Sequence, residues 1–212
     1  EKLTQYKSVV YWDKEKTLGA PFVMFYNAAG INPANQLKAE RIGIALSSNM
    51  TSWRRLPLRT AKRKTGNPVF FHEAPGIITG DAQIVKFPHY YVMFYFSAFN
   101  PKRKYNAYNT FAVSRDLVNW QDWEGADLIY PSKPYDDMFA HKSYVLKHQG
   151  VVYHFYCAVN HAGQRGIAVA TSVPMGRSQV SFPTLEKKGK RQIMSLNQDW
   201  QVSFGKTSED SI

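Results

Sequence analysis

Two side chains able to move protons stand at the heads of apolar segments. Asp81 follows Gly80 and leads into Gln83-Ile84-Val85-Lys86, and His141 sits in Phe139-Ala140-His141-Lys142-Ser143-Tyr144-Val145. A carboxylate and an imidazole held on rigid elements are suited to the proton transfers of bond hydrolysis. Each also has a structural role open to it: an aspartate after glycine caps its own turn, and a histidine is satisfied by backbone groups. Lys142 neighbours His141, and alternation along a strand turns it outward or leaves it to bind a substrate carboxylate or sulfate. Asp136 and Asp137, in Pro134-Tyr135-Asp136-Asp137-Met138, cap a turn or line a pocket. Glu40 and Arg41, before Ile42–Ser47, read as a rim ion pair, and Glu73, in Phe71-His72-Glu73-Ala74-Pro75, as a second acid on a loop. Lys142, Asp137, Glu40 and Glu73 are therefore the candidate substrate-binding side chains.

Neither a metal centre nor a cofactor is expected. Cys157 is the single cysteine and lies in the apolar run Val151–Val159, where a thiol behaves as a small hydrophobe, so an internal disulfide is excluded. His89, His148, His154 and His161 are scattered and read as turn or packing residues.

The elements that position these groups are visible as a repeat. Phe22-Val23-Met24-Phe25-Tyr26 recurs as Tyr91-Val92-Met93-Phe94-Tyr95 and as Val152-Tyr153-His154-Phe155-Tyr156. A second β-rich segment follows each copy: Ile42–Ser47, Thr110–Ser114 and Gly166–Thr171. The first two copies stay in step, since Asn49-Met50-Thr51-Ser52-Trp53 matches Asp116-Leu117-Val118-Asn119-Trp120. Short apolar runs rich in aromatic and β-branched residues suit strands buried on both faces. Each unit reads as an inner strand such as Gln83–Lys86, the Phe/Tyr-rich strand, a third strand and a short last one near the tryptophan. The expected fold is all-β, a propeller of four-stranded antiparallel blades. Units of this length give about three blades in 212 residues, too few to close a ring. The expectation is a fragment of a longer protein, with an open propeller edge that invites self-association.

Three phrases carry a family resemblance: Tyr90-Tyr91-Val92-Met93-Phe94-Tyr95, Ser114-Arg115-Asp116-Leu117-Val118-Asn119-Trp120, and Gly80-Asp81 opening a blade. They resemble the five-bladed propeller glycoside hydrolases of family 43 and its relatives such as family 117. The resemblance covers roughly residues 20–175 and marks the fold more than the chemistry. It implies a pocket on the propeller axis and a carbohydrate substrate hydrolysed at its glycosidic bond. It implies that Asp81 is the orienting, acidity-tuning aspartate and His141 the general acid, with the catalytic base in a blade upstream; Asp13, in Tyr11–Lys16, reads as a hairpin turn. A periplasmic or secreted location is implied too, although Glu1–Gln5 contains no signal segment. The stretch Arg191–Val202 resembles the opening strand of the family 2 sugar-binding jelly roll. The expected domains are thus 1–185, the partial propeller, and 186–212, a linker and the start of a further domain.

Two other function classes remain. A noncatalytic carbohydrate-binding propeller would keep the pocket without a full acid–base set. A nucleic-acid scaffold has only the formal charge of +11 in its favour. The runs Lys62-Arg63-Lys64 and Lys102-Arg103-Lys104 lie in loops without a framework to aim them into a groove, so no nucleic-acid partner is expected. Nor is a membrane partner, because no apolar run is long enough to span a bilayer.

Overall fold

The computed structural model describes residues 4–31, 36, 38–60, 62 and 65–176. The expected linker and second domain at 186–212 lie outside the described residues. Those residues form eleven β-strands and no helix. The strands fall into units. The first is β1 (Thr4–Trp12), β2 (Phe22–Ile31), β3 (Lys38–Ser47) and β4 (Arg54–Arg55); the second is β5 (Ile78–Lys86), β6 (Tyr91–Ala98), β7 (Ala107–Ser114) and β8 (Trp120–Asp122). The third has β9 (Phe139–His148), β10 (Val151–Val159) and β11 (Arg165–Thr171). Within each unit consecutive strands pair antiparallel, and one parallel bridge, Glu40 to Ile78, joins the first unit to the second.

Local chemistry sets the repeat. At the end of β3 the Ser47 hydroxyl accepts the Met50 N–H at 2.8 Å, and the Asn49 side chain accepts the N–H of Ser52 at 3.0 Å. At the end of β7 Asp116 plays the part of Asn49, accepting the N–H of Asn119 at 2.7 Å. Met50 and Leu117 both take left-handed backbone, φ 63° and 66°, to close the turn. The indole N–H of Trp53 then donates to Met50 O at 3.1 Å and that of Trp120 to Leu117 O at 2.9 Å. The two tryptophans thus occupy equivalent positions, as their spacing predicts.

The Phe/Tyr-rich strands are the second strand of each unit, covered on both faces. Val23, Phe25, Met93 and Tyr95 are all buried in a core shared by the first two units, where Phe25 meets Trp120 edge-on at 6.1 Å. The second and third units meet through Phe94 against His154 and Phe96 against His141. Such burial stabilises each large apolar side chain by about 1.5–3 kcal/mol, which holds the inner strands β1, β5 and β9 in position.

Candidate active site

Every inner strand carries a bulge at the same place. In β5, Gly80 pairs with Phe96 and Gln83 with Phe94, so Asp81 and Ala82 together face Tyr95. In β9, His141 pairs with Cys157 and Tyr144 with Phe155, so Lys142 and Ser143 face Tyr156. In β1 the register shifts between Tyr6 and Ser8, which makes Lys7 the extra residue beside Tyr26. The bulged residues all have left-handed backbone: φ is 47° at Lys7, 57° at Asp81 and 63° at Lys142. Such a conformation is unfavourable for a non-glycine residue, and its concentration at one structural position is a signature of sites that aim side chains.

The residues opposite the bulges are Tyr26, Tyr95 and Tyr156, the last letters of the repeated Phe-Tyr phrase. All three are buried and their hydroxyls are engaged. Tyr26 accepts from Asn67, Tyr95 donates to Asp122 and Tyr156 donates to Asp136. Burial pushes the Tyr95 and Tyr156 hydroxyls up, and the neighbouring carboxylate adds to the rise at each. These protonated phenols are struts beneath the bulges.

Lys7, Asp81 and Lys142 converge. The Lys7 ammonium stands 3.2 Å from Asp81 Oδ2, while Asp81 Oδ1 accepts from the Asn27 amide at 2.7 Å and the Asp81 N–H donates to Asn27 Oδ1 at 2.9 Å. The clamp explains Gly80: a Cβ there would lie 2.5 Å from Asn27 Nδ2, so the glycine is needed for close approach and not for flexibility. Lys142 touches Lys7 side chain to side chain, and that contact together with partial burial lowers its pKa.

His141 stands one residue before the bulge, equivalent to Gly80; the true counterpart of Asp81 is Lys142. The bulge also overrides simple alternation, so His141 and Lys142 line the same cleft. The His141 ring packs edge-on against Phe96, with centroids 5.6 Å apart, and its Nδ1 lies 3.1 Å from Cys157 O. A carbonyl only accepts, so Nδ1 carries the hydrogen and a neutral ring presents a lone pair on Nε2. Burial, with Lys142 beside it, lowers the His141 pKa to about 4. At neutral pH the ring therefore offers an acceptor in place of the proton that a general acid would donate.

The cleft of about 250 Å³ is lined by Lys7, Glu40, Phe139, His141, Lys142 and Arg165 among others. It lies where β3, β5, β7, β9 and β11 begin. Glu40 is buried and pairs with Lys38 at 3.0 Å, not with Arg41. Lys38 and Glu40 share a strand face, whereas Arg41 points the other way and lies over the Phe71 ring. Asp137 and Glu73 do not line this cleft. Asp137 accepts the His161 N–H at 2.8 Å and pairs with its ring, and Glu73 lines a separate shallow pocket with His72 and Trp120. Asp136 caps the 132–133 turn through two backbone N–H groups, and Asp13 likewise caps the turn after β1. A larger groove of about 750 Å³, against β2, β3, residues 55–59 and residues 67–68, carries Arg41, Arg55 and Arg59, and among the described residues its lining includes no carboxylate or imidazole.

Lys7, Asn27 and Arg165 are not among the site residues that the sequence predicts. One signal is present for Lys7: Lys7-Ser8 and Lys142-Ser143 are the same dipeptide at equivalent positions.

Radially packed antiparallel units, with polar side chains converging from their first strands, define a propeller glycoside hydrolase-like fold. Among solved structures, the chain is similar to that of BT0996 in its RGII complex, with 70% sequence identity and a TM-score of 0.75, covering 87% of this chain and 50% of that one. It is similar to a structure named only as a glycoside hydrolase at 69% identity, with the same TM-score and coverage. Likeness of fold alone extends to a thermostable family-43 glycoside hydrolase, at 20% identity and TM-score 0.53 over 87% of this chain and 56% of that one. It extends also to Zg3597, a family 117 glycoside hydrolase of Zobellia galactanivorans, at 15% and 0.51 over 80% and 52%. The chain spans about half the length of the first two relatives. No protein-family model matches it, and neither does any curated protein.

Proposed function

We propose that this chain forms part of a glycosidase that cleaves O-glycosidic bonds of a poly- or oligosaccharide in the cleft at the start of β5 and β9. The observation that supports this reading is the convergence of three bulged inner strands on one cleft that also holds a buried carboxylate, Glu40. Glycoside hydrolysis uses one group to protonate the leaving oxygen and another to assist attack at the sugar carbon. Glu40 is the carboxylate that lines the cleft, and it serves as one of these two groups. Asp81, clamped by Asn27 and paired with Lys7, is the orienting carboxylate: its charge holds Lys7 and favours the protonated form of Lys142. His141 accepts a sugar hydroxyl at Nε2. The relatives that are about 70% identical, one of them named a glycoside hydrolase, add weight to the reading.

The test uses the full-length protein that contains this chain and measures reducing-end release from a panel of oligosaccharides. Glu40→Gln and Asp81→Asn should each lower kcat by about 10²–10⁴-fold with unchanged thermal midpoints. Full activity in both variants would remove this cleft as the reaction site.

A further inference from the structure

We propose that the cleft seats an anionic group on its saccharide, a carboxylate or a sulfate, between Lys7, Lys142 and Arg165; this rests on the carbohydrate reading above. Lys7 and Lys142 are brought side by side from inner strands of different units, each at a bulge with left-handed backbone. Two ammonium groups in contact repel, and a fold that spends backbone strain to place both there has an anion as its natural complement. Asp81 supplies one negative charge to the pair, at 3.2 Å from Lys7. Among the described residues, Lys7, Lys38, Lys142 and Arg165 stand around the cleft against two carboxylates, Asp81 beside it and Glu40 in its lining, and His141 is neutral. The balance leaves room for an anion.

The wall of the cleft suits the rest of such a ligand. Phe96, Phe99 and Phe139 line it, and Phe99 and Phe139 meet edge-on at 6.1 Å. Phe99 remains half exposed, so an aromatic face is available to the apolar side of a sugar ring while the anionic substituent reaches the lysines. An arginine and two lysines recognise a carboxylate or a sulfate by the same charge-assisted hydrogen bonds, so the two sources must be separated by experiment. A bound anion would also favour the protonated form of Lys142, whose pKa Lys7 lowers, and binding should take up protons at alkaline pH.

The experiment measures binding by calorimetry to the full-length protein at low ionic strength. The probes are tri-galacturonate, its methyl ester, a sulfated galactose trisaccharide and the unsulfated trisaccharide. One acidic probe should bind at least about tenfold more tightly than its neutral counterpart, and added salt should shrink the difference. Whichever acidic probe shows the preference identifies the group as carboxylate or sulfate. Lys142→Gln should abolish the preference and Lys142→Arg should retain it. Equal affinity for charged and neutral probes would overturn the anion site while leaving the carbohydrate reading intact. Binding of no probe at all would overturn both. If Lys142→Gln fails to fold, the comparison of probes on the unaltered protein still decides.

Discussion

The Lys7 ammonium and the Asp81 carboxylate meet at 3.2 Å although 74 residues separate them, because their strands bulge at equivalent places. Lys142 completes the cluster from the third unit, so one carboxylate moderates two ammonium groups. The opposite charge of Asp81 favours the protonated form of Lys142, whereas Lys7 opposes it. Asp81→Asn keeps the shape and removes the favourable charge. The Lys142 pKa should therefore fall further in that variant. Lysine reactivity toward a mild acylating reagent, followed against pH, checks this: Lys142 should become modified at lower pH in Asp81→Asn than in the unaltered protein. An unchanged profile would separate Asp81 electrostatically from Lys142.

What the sequence makes legible is local. Ser47/Ser114, Asn49/Asp116 and Trp53/Trp120 are turn chemistry confined to seven residues, so two copies of the phrase reveal two copies of the turn. The Phe-Tyr repeat announces the strands buried on both faces. A bulge is different, because it exists only as two residues against one across a strand pair, and composition does not display the count. Sequence spacing accordingly matches His141 to Asp81, whereas its counterpart in the structure is Gly80. Adjacency in the chain suggests that Glu40 pairs with Arg41, and strand alternation explains why it pairs with Lys38 instead. Asn27 carries no signal because an amide becomes a clamp only when a distant strand delivers its partner.

Asn67 should be a strong stability determinant of the first unit. Its side chain is buried; Oδ1 accepts the Ile44 N–H at 2.7 Å, and Nδ2 lies 2.9 Å from Ile44 O, 3.1 Å from Leu56 O and 3.2 Å from the Tyr26 hydroxyl. Asn67→Ala removes the acceptor of the Ile44 N–H and the donor to Leu56 O, while Ile44 O keeps the Leu56 N–H at 3.0 Å, and should cost about 2–4 kcal/mol. Asn67→Asp should cost at least as much, because a carboxylate has no N–H for the two carbonyls. Urea unfolding monitored by tryptophan fluorescence checks the loss. A change under about 0.5 kcal/mol in both variants would contradict the assigned role.

Stability should fall as the solution is acidified from about pH 6.5 to pH 4. Burial lowers the His154 pKa from 6.5 to about 4, and its Nε2 has no hydrogen-bond partner in a pocket edged by Phe94. Burial and Lys142 lower His141 to about 4 as well. Between those pH values the unfolded chain takes up protons that the folded chain refuses, so acid favours unfolding. Above about pH 6.5 both forms are neutral and the contribution is complete; it is lost as pH falls through the window. Denaturation midpoints at pH 7 and pH 5 should differ in that direction. His154→Phe, which keeps a ring in the pocket, should reduce the difference, and an unaltered pH slope would remove His154 from this account.

Gly80→Ala should damage the site without touching any cleft-lining side chain. The added Cβ would stand 2.5 Å from Asn27 Nδ2 and 2.8 Å from Asn27 Cγ. Asn27 is fully buried and has nowhere to swing, so the amide must shift away from both the Asp81 carboxylate and the Asp81 N–H. The substitution should thus share with Asn27→Ala the loss of both Asn27–Asp81 bonds: a stability loss of about 1–3 kcal/mol, here from overpacking as well as broken bonds, and a fall in kcat of about tenfold or more as Asp81 loses its orientation. Gly150→Ala supplies the comparison. Its φ is 82° in the β9–β10 hairpin and nothing lies within 4 Å of the new Cβ, so it carries backbone strain alone, about 1 kcal/mol. Measured side by side in the full-length protein, both variants should unfold at lower urea, but only Gly80→Ala should lose turnover. Equal turnover in the two would mean that the Asn27 clamp holds the strand and not the chemistry.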